Sequence, residues 1–133
     1  MSVKIAVERI NSTTVIVGQN KTVFIEPNII YVVAKGEQTD ELSKEQSRIC
    51  NQFIEGVEGK INYLIDLNLA GKSSPQARKH WQRLSEDKRT NKVALFGLHP
   101  VARVLASFVM GVSLKKDMLF FKTKEEAQDW LNS

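Results

Sequence analysis

The feature that most constrains the fold is an alternation of strand-like and helix-like segments after residue 59. Residues 61–67 form a compact apolar run, and residues 93–96 and 118–121 are two shorter runs of the same kind. Each is followed by apolar residues at helical spacing, and the TKEE sequence at residues 123–126 is a capping box for the last helix. Because such alternation favours parallel strands with right-handed crossovers, we predict a mostly parallel central sheet with helices packed on it.

The first 60 residues predict antiparallel strands followed by one helix. Apolar residues two positions apart lie on both sides of residues 18–21, whose sequence GQNK is typical of a hairpin turn. Residues 29–34 predict the next strand, and the alternation in residues 3–7 predicts an edge strand. Residues 39–59 have helical spacing and end at glycines. The predicted fold class is therefore α/β, with an N-terminal β-hairpin leading into a mixed, mostly parallel sheet and about four helices.

Composition predicts one small soluble domain spanning residues 1–133. The chain is 42% hydrophobic and 26% charged, which suits a single core and excludes a disordered chain. Cys50 is the only cysteine, and the two histidines, His80 and His99, are far apart in sequence. We therefore predict no disulfide, metal or cofactor. The lone cysteine and the lack of a signal-like apolar run near the N-terminus favour the cytoplasm.

The net charge of +4 is concentrated in one segment. Residues 72–92 contain seven Lys or Arg and two Asp or Glu. Such a segment is either a solvated helix surface or a surface that attracts phosphates, nucleic acid or an acidic protein. Nucleic acid is not favoured, because the only aromatic residue of the segment, Trp81, falls on the predicted core face and no base-stacking motif is present.

Three blocks of sequence, in this order and spacing, resemble the STAS superfamily. They are YLIDL at residues 63–67, residues 92–97 running into residues 100–103, and the tail at residues 120–131. The resemblance is strongest to the SpoIIAA-like group of small bacterial proteins, which are related to the CRAL-TRIO lipid-carrying domain. It implies a SpoIIAA-like fold and a non-catalytic regulatory or protein-interaction module.

The same resemblance directs attention to two serines. Anti-sigma-factor antagonists of this superfamily are switched by phosphorylation of a serine at the N-terminus of the helix after the Asp-Leu strand. Ser73 and Ser74 are at the matching positions, but Lys72-Ser73-Ser74-Pro75 stands where Asp-Ser-Ser-Gly is expected. From the residues themselves, Ser74 is also a helix N-cap with Pro75 at the first helical position. Ser73, Ser74 and Lys72 are therefore candidates for phosphorylation or anion binding.

Two catalytic interpretations of this region are not favoured. Gly71-Lys72-Ser73 resembles the end of a phosphate-binding loop, but Asp66 stands where that motif needs glycine. Neither serine has the surroundings of a nucleophile elbow. We expect Asp66 to accept hydrogen bonds from loop N–H groups, and Asp66, Asn68 and His99 to lie in loops at the sheet edge. We predict that the protein is not an enzyme.

The segment at residues 100–111 is unusually apolar. Arg103 is the only charged residue between Val93 and Leu114. A membrane span is not favoured, because Gly97, Pro100 and Arg103 interrupt the stretch. The helix could instead be buried, form a homodimer seam, or line a lipid-sized pocket or membrane contact. The residues proposed for an apolar pocket or interface are Phe96, Val101, Leu105, Phe108 and Val109.

Two functional hypotheses follow. The first is a regulatory module that binds a protein partner and forms a homodimer. The alternative is a carrier or sensor of a lipid-like apolar small molecule, with its pocket beside the helix at residues 100–111.

Overall fold

The computed structural model describes residues 4–112 and 117–133, apart from the side chains of residues 105, 108, 109, 111 and 112. In chain order the elements are β1 (Val7–Asn11), β2 (Thr14–Val17), β3 (Asn20–Ile25), β4 (Ile29–Gln38), α1 (Asp40–Glu55), β5 (Ile61–Ser73), α2 (Pro75–Glu86), β6 (Thr90–Phe96), α3 (Pro100–Val112), β7 (Met118–Phe121) and α4 (Lys124–Leu131).

The strands form a single mixed sheet in which spatial order equals chain order. Strands β1 to β4 are antiparallel to their neighbours, and β4 to β7 are parallel. The antiparallel part is thus a four-stranded meander. Its edge strand, β1, begins at Val7, whereas the sequence predicted an edge strand over residues 3–7. Because the three crossovers all run the same way along the sheet, a right-handed connection places α1, α2 and α3 on one face. We call this the helix face, and α4 lies on the opposite face.

Side chains of β5 alternate between two cores. Tyr63 and Ile65 pack beneath the helices of the helix face, whereas Leu64 packs with Ala127 and Leu131 of α4. Covering both sides buries every residue from 61 to 65, which explains why the sequence shows a continuous apolar run there.

A Ser or Thr side chain caps the N-terminus of three of the four helices. Thr39 accepts a hydrogen bond from the N–H of Leu42 at the start of α1. Ser74 begins α2 in the same way. Thr123 begins α4, accepting from the N–H of Glu126 while its hydroxyl donates to the Glu126 carboxylate. The predicted N-caps Ser74 and Thr123 are both confirmed, and the Glu126 carboxylate of the predicted capping box bonds the Thr123 hydroxyl.

Strand β5 is longer than the sequence predicts. The apolar run ends at Leu67, but pairing with β4 continues through Lys35 with Leu69 to Gln38 with Ser73, across two register shifts. A Cβ added at Gly71 would lie 3.2 Å from the carbonyl carbon of Gly36, so the two backbones approach closely there. The prediction that Asp66 and Asn68 lie in a loop was therefore wrong, because backbone pairing continues where the apolar pattern has ended and both residues lie within β5.

A buried amide cluster joins β3, β4 and α1. Asn20 and Gln38 exchange two side-chain hydrogen bonds of 2.9 and 3.2 Å, and Asn20 also donates to Gln46 at 3.1 Å. The Asn20 carbonyl accepts from the backbone N–H of Lys35, and Gln46 donates to Thr22 at 2.8 Å. All three amide side chains are buried, so each depends on the others for its hydrogen bonds.

Asn20→Ala tests the amide cluster. The substitution leaves buried groups of Gln38, Gln46 and Lys35 without their Asn20 partner, so we expect a loss of about 2–4 kcal/mol in the free energy of unfolding. Urea denaturation measures it, with Gln52→Ala on the exposed surface of α1 as the control. Equal destabilisation of the two variants would contradict a structural role for the cluster.

Candidate functional site at the carboxyl ends of the parallel strands

The carboxyl ends of the parallel strands and the first turns of α1, α2 and α3 meet at one edge of the sheet. We call this the carboxyl edge. In sheets of this kind, ligands and partners bind where strands end and helices begin. The edge holds the serine pair, Asp66 and Asn68 of β5, and His99, which are the polar candidates predicted from the sequence.

Ser74 fixes the start of α2. Its hydroxyl accepts a 3.0 Å hydrogen bond from the N–H of Ala77, and Pro75 occupies the first helical position. Its own backbone N–H donates to the carbonyl of Gln38 at 3.0 Å, which anchors the helix start to the end of β4.

The Ser74 hydroxyl also donates a short hydrogen bond to the carboxylate of Asp40. Asp40 is the first residue of α1, so this Asp40–Ser74 bridge links the N-termini of two neighbouring helices. Sequence reasoning missed Asp40 as a site residue. Its only local signal is an acidic side chain in a first helical turn, which is common at any helix start. The contact spans 34 positions, and only the fold brings the two residues together.

The other members of the serine site have different environments. Ser73 is the last residue of β5 and is half-buried, and its carbonyl lies 3.4 Å from the Arg78 guanidinium. Lys72 is exposed. The hydroxyl of Ser74, rather than that of Ser73, is therefore the one that contacts both helix starts.

Asp66 lies on β5 near the serines and joins this strand to the segment before α3. Its Oδ1 accepts hydrogen bonds from the backbone and side-chain amides of Asn68, each at 2.9 Å. The side-chain carbonyl of Asn68 then accepts a hydrogen bond from the N–H of Leu98 at 2.9 Å. Asp66 thus accepts a hydrogen bond from a backbone N–H, but the donor lies within β5 and not in the expected loop. Burial raises the pKa of Tyr31, and the charge of Asp66 raises it further.

His99 begins α3. Its Nδ1 accepts from the N–H of Val101 at 3.1 Å, and its carbonyl accepts from the N–H of Ala102. The hydrogen bonds described for His99 thus stay within its own helix, and none joins it to Asp66 or to a serine. The arrangement does not form a catalytic triad among these residues.

Two residues of the proposed apolar wall, Phe96 and Val101, are not brought together. Phe96 is buried on the opposite face among residues of α4, because the alternation of β6 directs Leu95, not Phe96, toward the helices. Val101 is exposed on the surface of α3. The side chains of Leu105, Phe108 and Val109 lie outside the described residues. The expectation that Phe96 and α3 share one pocket was therefore wrong.

A small cavity instead lies beneath α2. Its volume is about 30 Å³, enough for about two water molecules. Among the described side chains it is lined by apolar residues of β5 and β6, by Trp81, and by the polar groups of Gln38, Ser73 and Arg78.

Tyr63 lines this cavity. Its ring packs edge-to-face with the ring of Trp81, and the ring centroids are 6.2 Å apart. Its hydroxyl has no hydrogen-bond partner among the described residues. Burial raises the pKa of the Tyr63 hydroxyl, and the neighbouring Cys50 raises it further. Burial also raises the pKa of the Cys50 thiol to about 12. Neither group ionises near neutral pH, which does not suit a nucleophile or a general base.

His80 lies half-buried between α1 and α2, with its Nδ1 3.3 Å from the hydroxyl of Ser47. Burial is the largest cause that lowers the pKa of His80, followed by the charges of Arg83 and Lys44, while Asp40 opposes them. The imidazole therefore favours its neutral form in the folded protein.

Within residues 4–112 and 117–133, no group of three or more His, Cys, Asp or Glu side chains is placed to hold a metal ion. No described helix has the length and apolar character needed to cross a bilayer.

The comparisons with known proteins agree on the fold. A family model described as SpoIIAA-like matches residues 29–132. The chain is similar to a solved structure of an uncharacterised protein of the DUF3478 family with a SpoIIAA-like fold, from Shewanella loihica PV-4. That similarity has a TM-score of 0.63, 20% sequence identity and coverage of 98% of each chain. No curated protein matches the chain.

The pH dependence of stability tests the environment of His80. Because the pKa is lower in the folded state, protonation favours unfolding. The contribution of neutral His80 is present above pH 6.5 and is lost as the pH falls through the folded pKa. We expect His80→Gln to lose less stability than the wild type between pH 7.5 and 5.5, as measured by urea denaturation. An equal loss in both proteins would contradict this environment.

Proposed function

The chain belongs to the SpoIIAA-like family, and we propose that it is a non-catalytic regulatory module that binds a protein partner at its carboxyl edge. Proteins of this family are generally regulatory rather than catalytic. The hydrogen bonds described for His99, which join it to Val101 and Ala102, and the raised pKa values of Tyr63 and Cys50 favour the same conclusion.

The observation that carries the proposal is the Asp40–Ser74 bridge. One hydroxyl caps α2 and contacts the first residue of α1, so any change at this oxygen acts on both helices. The partner surface in this proposal comprises those two helix starts.

A phosphoryl group on Ser74 would operate this site as a switch. It removes the hydroxyl proton that Asp40 accepts and adds nearly two negative charges next to that carboxylate. The N-terminus of α2, together with Lys72 and Arg78, attracts the same charge. Repulsion from Asp40 and attraction to α2 act in the same direction, and the bridge between α1 and α2 opens.

Anion binding without modification is the second way to tune this edge. A bound anion meets the same N-terminus of α2, the same cations and the same opposing carboxylate as a phosphoryl group. The carrier alternative has weaker support, because the cavity beneath α2 is far smaller than pockets that enclose drug-sized ligands.

Partner binding by wild type, Ser74→Glu and Ser73→Glu tests the proposal. Ser73→Glu is the matched control, since it adds the same charge one residue away and leaves the Asp40–Ser74 bridge intact. Each protein is immobilised, and partners recovered from a cell extract are identified and their affinities measured. We expect Ser74→Glu to change the affinity for a recovered partner about tenfold, and Ser73→Glu to change it much less.

Two outcomes would contradict the proposal. One is recovery of the same partners with equal affinity by wild type and Ser74→Glu. The other is a reproducible chemical turnover by the wild type that Ser74→Ala abolishes, which would make the serine a catalytic residue.

A further inference from the structure

The side of the sheet that carries α4 is covered over only part of its width. Helix α4 packs on β5, β6 and β7, and it reaches β4 at Tyr31, whose ring lies 4.5 Å from the Lys124 ammonium. In the described part of the chain, no helix packs over β1 and β2 on this side. We call the side of β1 to β4 that faces away from α1, α2 and α3 the open face.

Strand register and alternation decide which side chains lie on the open face. Val15 and Val17 of β2 pack beneath α1, so Ile16 between them lies on the other side of the sheet. Ile16 pairs with Glu8 of β1 and with Lys21 of β3, which places all three on that side. The same register extends the open face across the four strands, where it includes Glu8, Ile16, Lys21, Val23 and Val33.

The centre of the open face is apolar. Ile16, Val23 and Val33 are partly exposed there, although an antiparallel sheet face that meets water ordinarily carries polar side chains. Strand β4 begins with IIYVVA, a continuous apolar run like the one in β5, which is covered on both sides. The sequence of β4 is therefore that of a covered strand, which indicates that another surface packs on the open face.

The charges on and around the open face are of both signs. Glu8 and Lys21 are exposed on the two strands that flank Ile16. An anionic bilayer and a nucleic acid both select a positive surface, so neither fits this pattern. A protein surface of mixed charge fits it better. The charged residues that border the face are Lys35, Lys122, Lys124, Glu26, Glu37, Asp66, Glu125 and Glu126.

We propose that a second copy of this chain covers the open face, with a two-fold axis that runs along β2 between the two sheets. Rotation about that axis exchanges β1 and β3, so Glu8 of each copy lies opposite Lys21 of the other. Ile16 then lies opposite its own copy at the axis, and the two sheets form an aligned sandwich with an apolar centre. An axis along β3 would instead place Lys21 opposite Lys21, so the charge pattern selects β2.

This inference goes beyond the proposed function. The Asp40–Ser74 bridge joins two helices of the helix face, whereas the open face is the other side of the sheet. A second copy and a regulatory partner therefore bind to different surfaces.

Sedimentation equilibrium of the full chain over a range of concentrations tests the proposal. We expect the wild type to form a dimer. Glu8→Lys and Lys21→Glu each bring like charges together at two symmetric positions, so each should raise the dimer dissociation constant about tenfold. The double variant exchanges the two charges and restores opposite pairs, so its dissociation constant should return to within about threefold of the wild-type value.

Lys88→Glu is the matched control for Lys21→Glu. Lys88 is exposed in the turn between α2 and β6, so the same charge change is made away from the open face. It should leave the dissociation constant unchanged, and circular dichroism checks that each variant is folded.

Three results would overturn the proposal. The first is a wild type that stays monomeric at every concentration, which would mean that a different protein covers the open face. The second is a dimer with the same dissociation constant in the wild type, Glu8→Lys and Lys21→Glu, which would place the dimer contact on another surface. The third is a folded double variant that dimerises no better than the single variants, since the two residues would then not lie opposite each other.

Discussion

The arrangement of the carboxyl edge depends on the backbone pairing of β4 and β5 beyond their apolar segments. The close approach of Gly36 and Gly71 lets the two strands run on together until Gln38 lies beside Ser73. The residue after each strand is the N-cap of a helix: Thr39 for α1 and Ser74 for α2. Ser74 therefore contacts both the Gln38 carbonyl and the Asp40 carboxylate. A Cβ at Gly71 would lie 3.2 Å from the backbone of Gly36, so this close pairing favours glycine there.

The three helices of the helix face are attached to the sheet by different interactions. The buried amide cluster fixes β3, β4 and α1 relative to one another, and so fixes the position of Asp40 at the end of that unit. Helix α2 is attached to the unit through Ser74 and packs on the sheet over a small cavity. Helix α3 uses alanines for packing, which leaves its valines at the surface. The amide cluster, the cap of α2 and the alanine packing of α3 thus attach the three helices to the sheet in different ways.

The sequence predicted those features that arise from local chemistry. Alternating apolar periodicity located the parallel strands and crossover helices, and capping chemistry located Ser74 and Thr123. It did not predict the extension of β5, because backbone pairing over small and polar residues has no periodic side-chain signal. It also did not predict that Asp40 would meet Ser74, since that contact depends on tertiary structure. Grouping Phe96 with α3 failed because a one-residue difference in a strand selects the opposite face of a sheet.

A double-mutant cycle on Asp40 and Ser74 tests the central claim most directly. The free energy of unfolding is measured for the wild type, Asp40→Ala, Ser74→Ala and the double variant at neutral pH. The cycle separates the capping role of Ser74 from its bond to Asp40, since the capping loss appears in both arms. The account predicts a coupling free energy of about 1 kcal/mol or more, as for a hydrogen bond to a charged group. Additive effects, with coupling near zero, would contradict a bridge between α1 and α2.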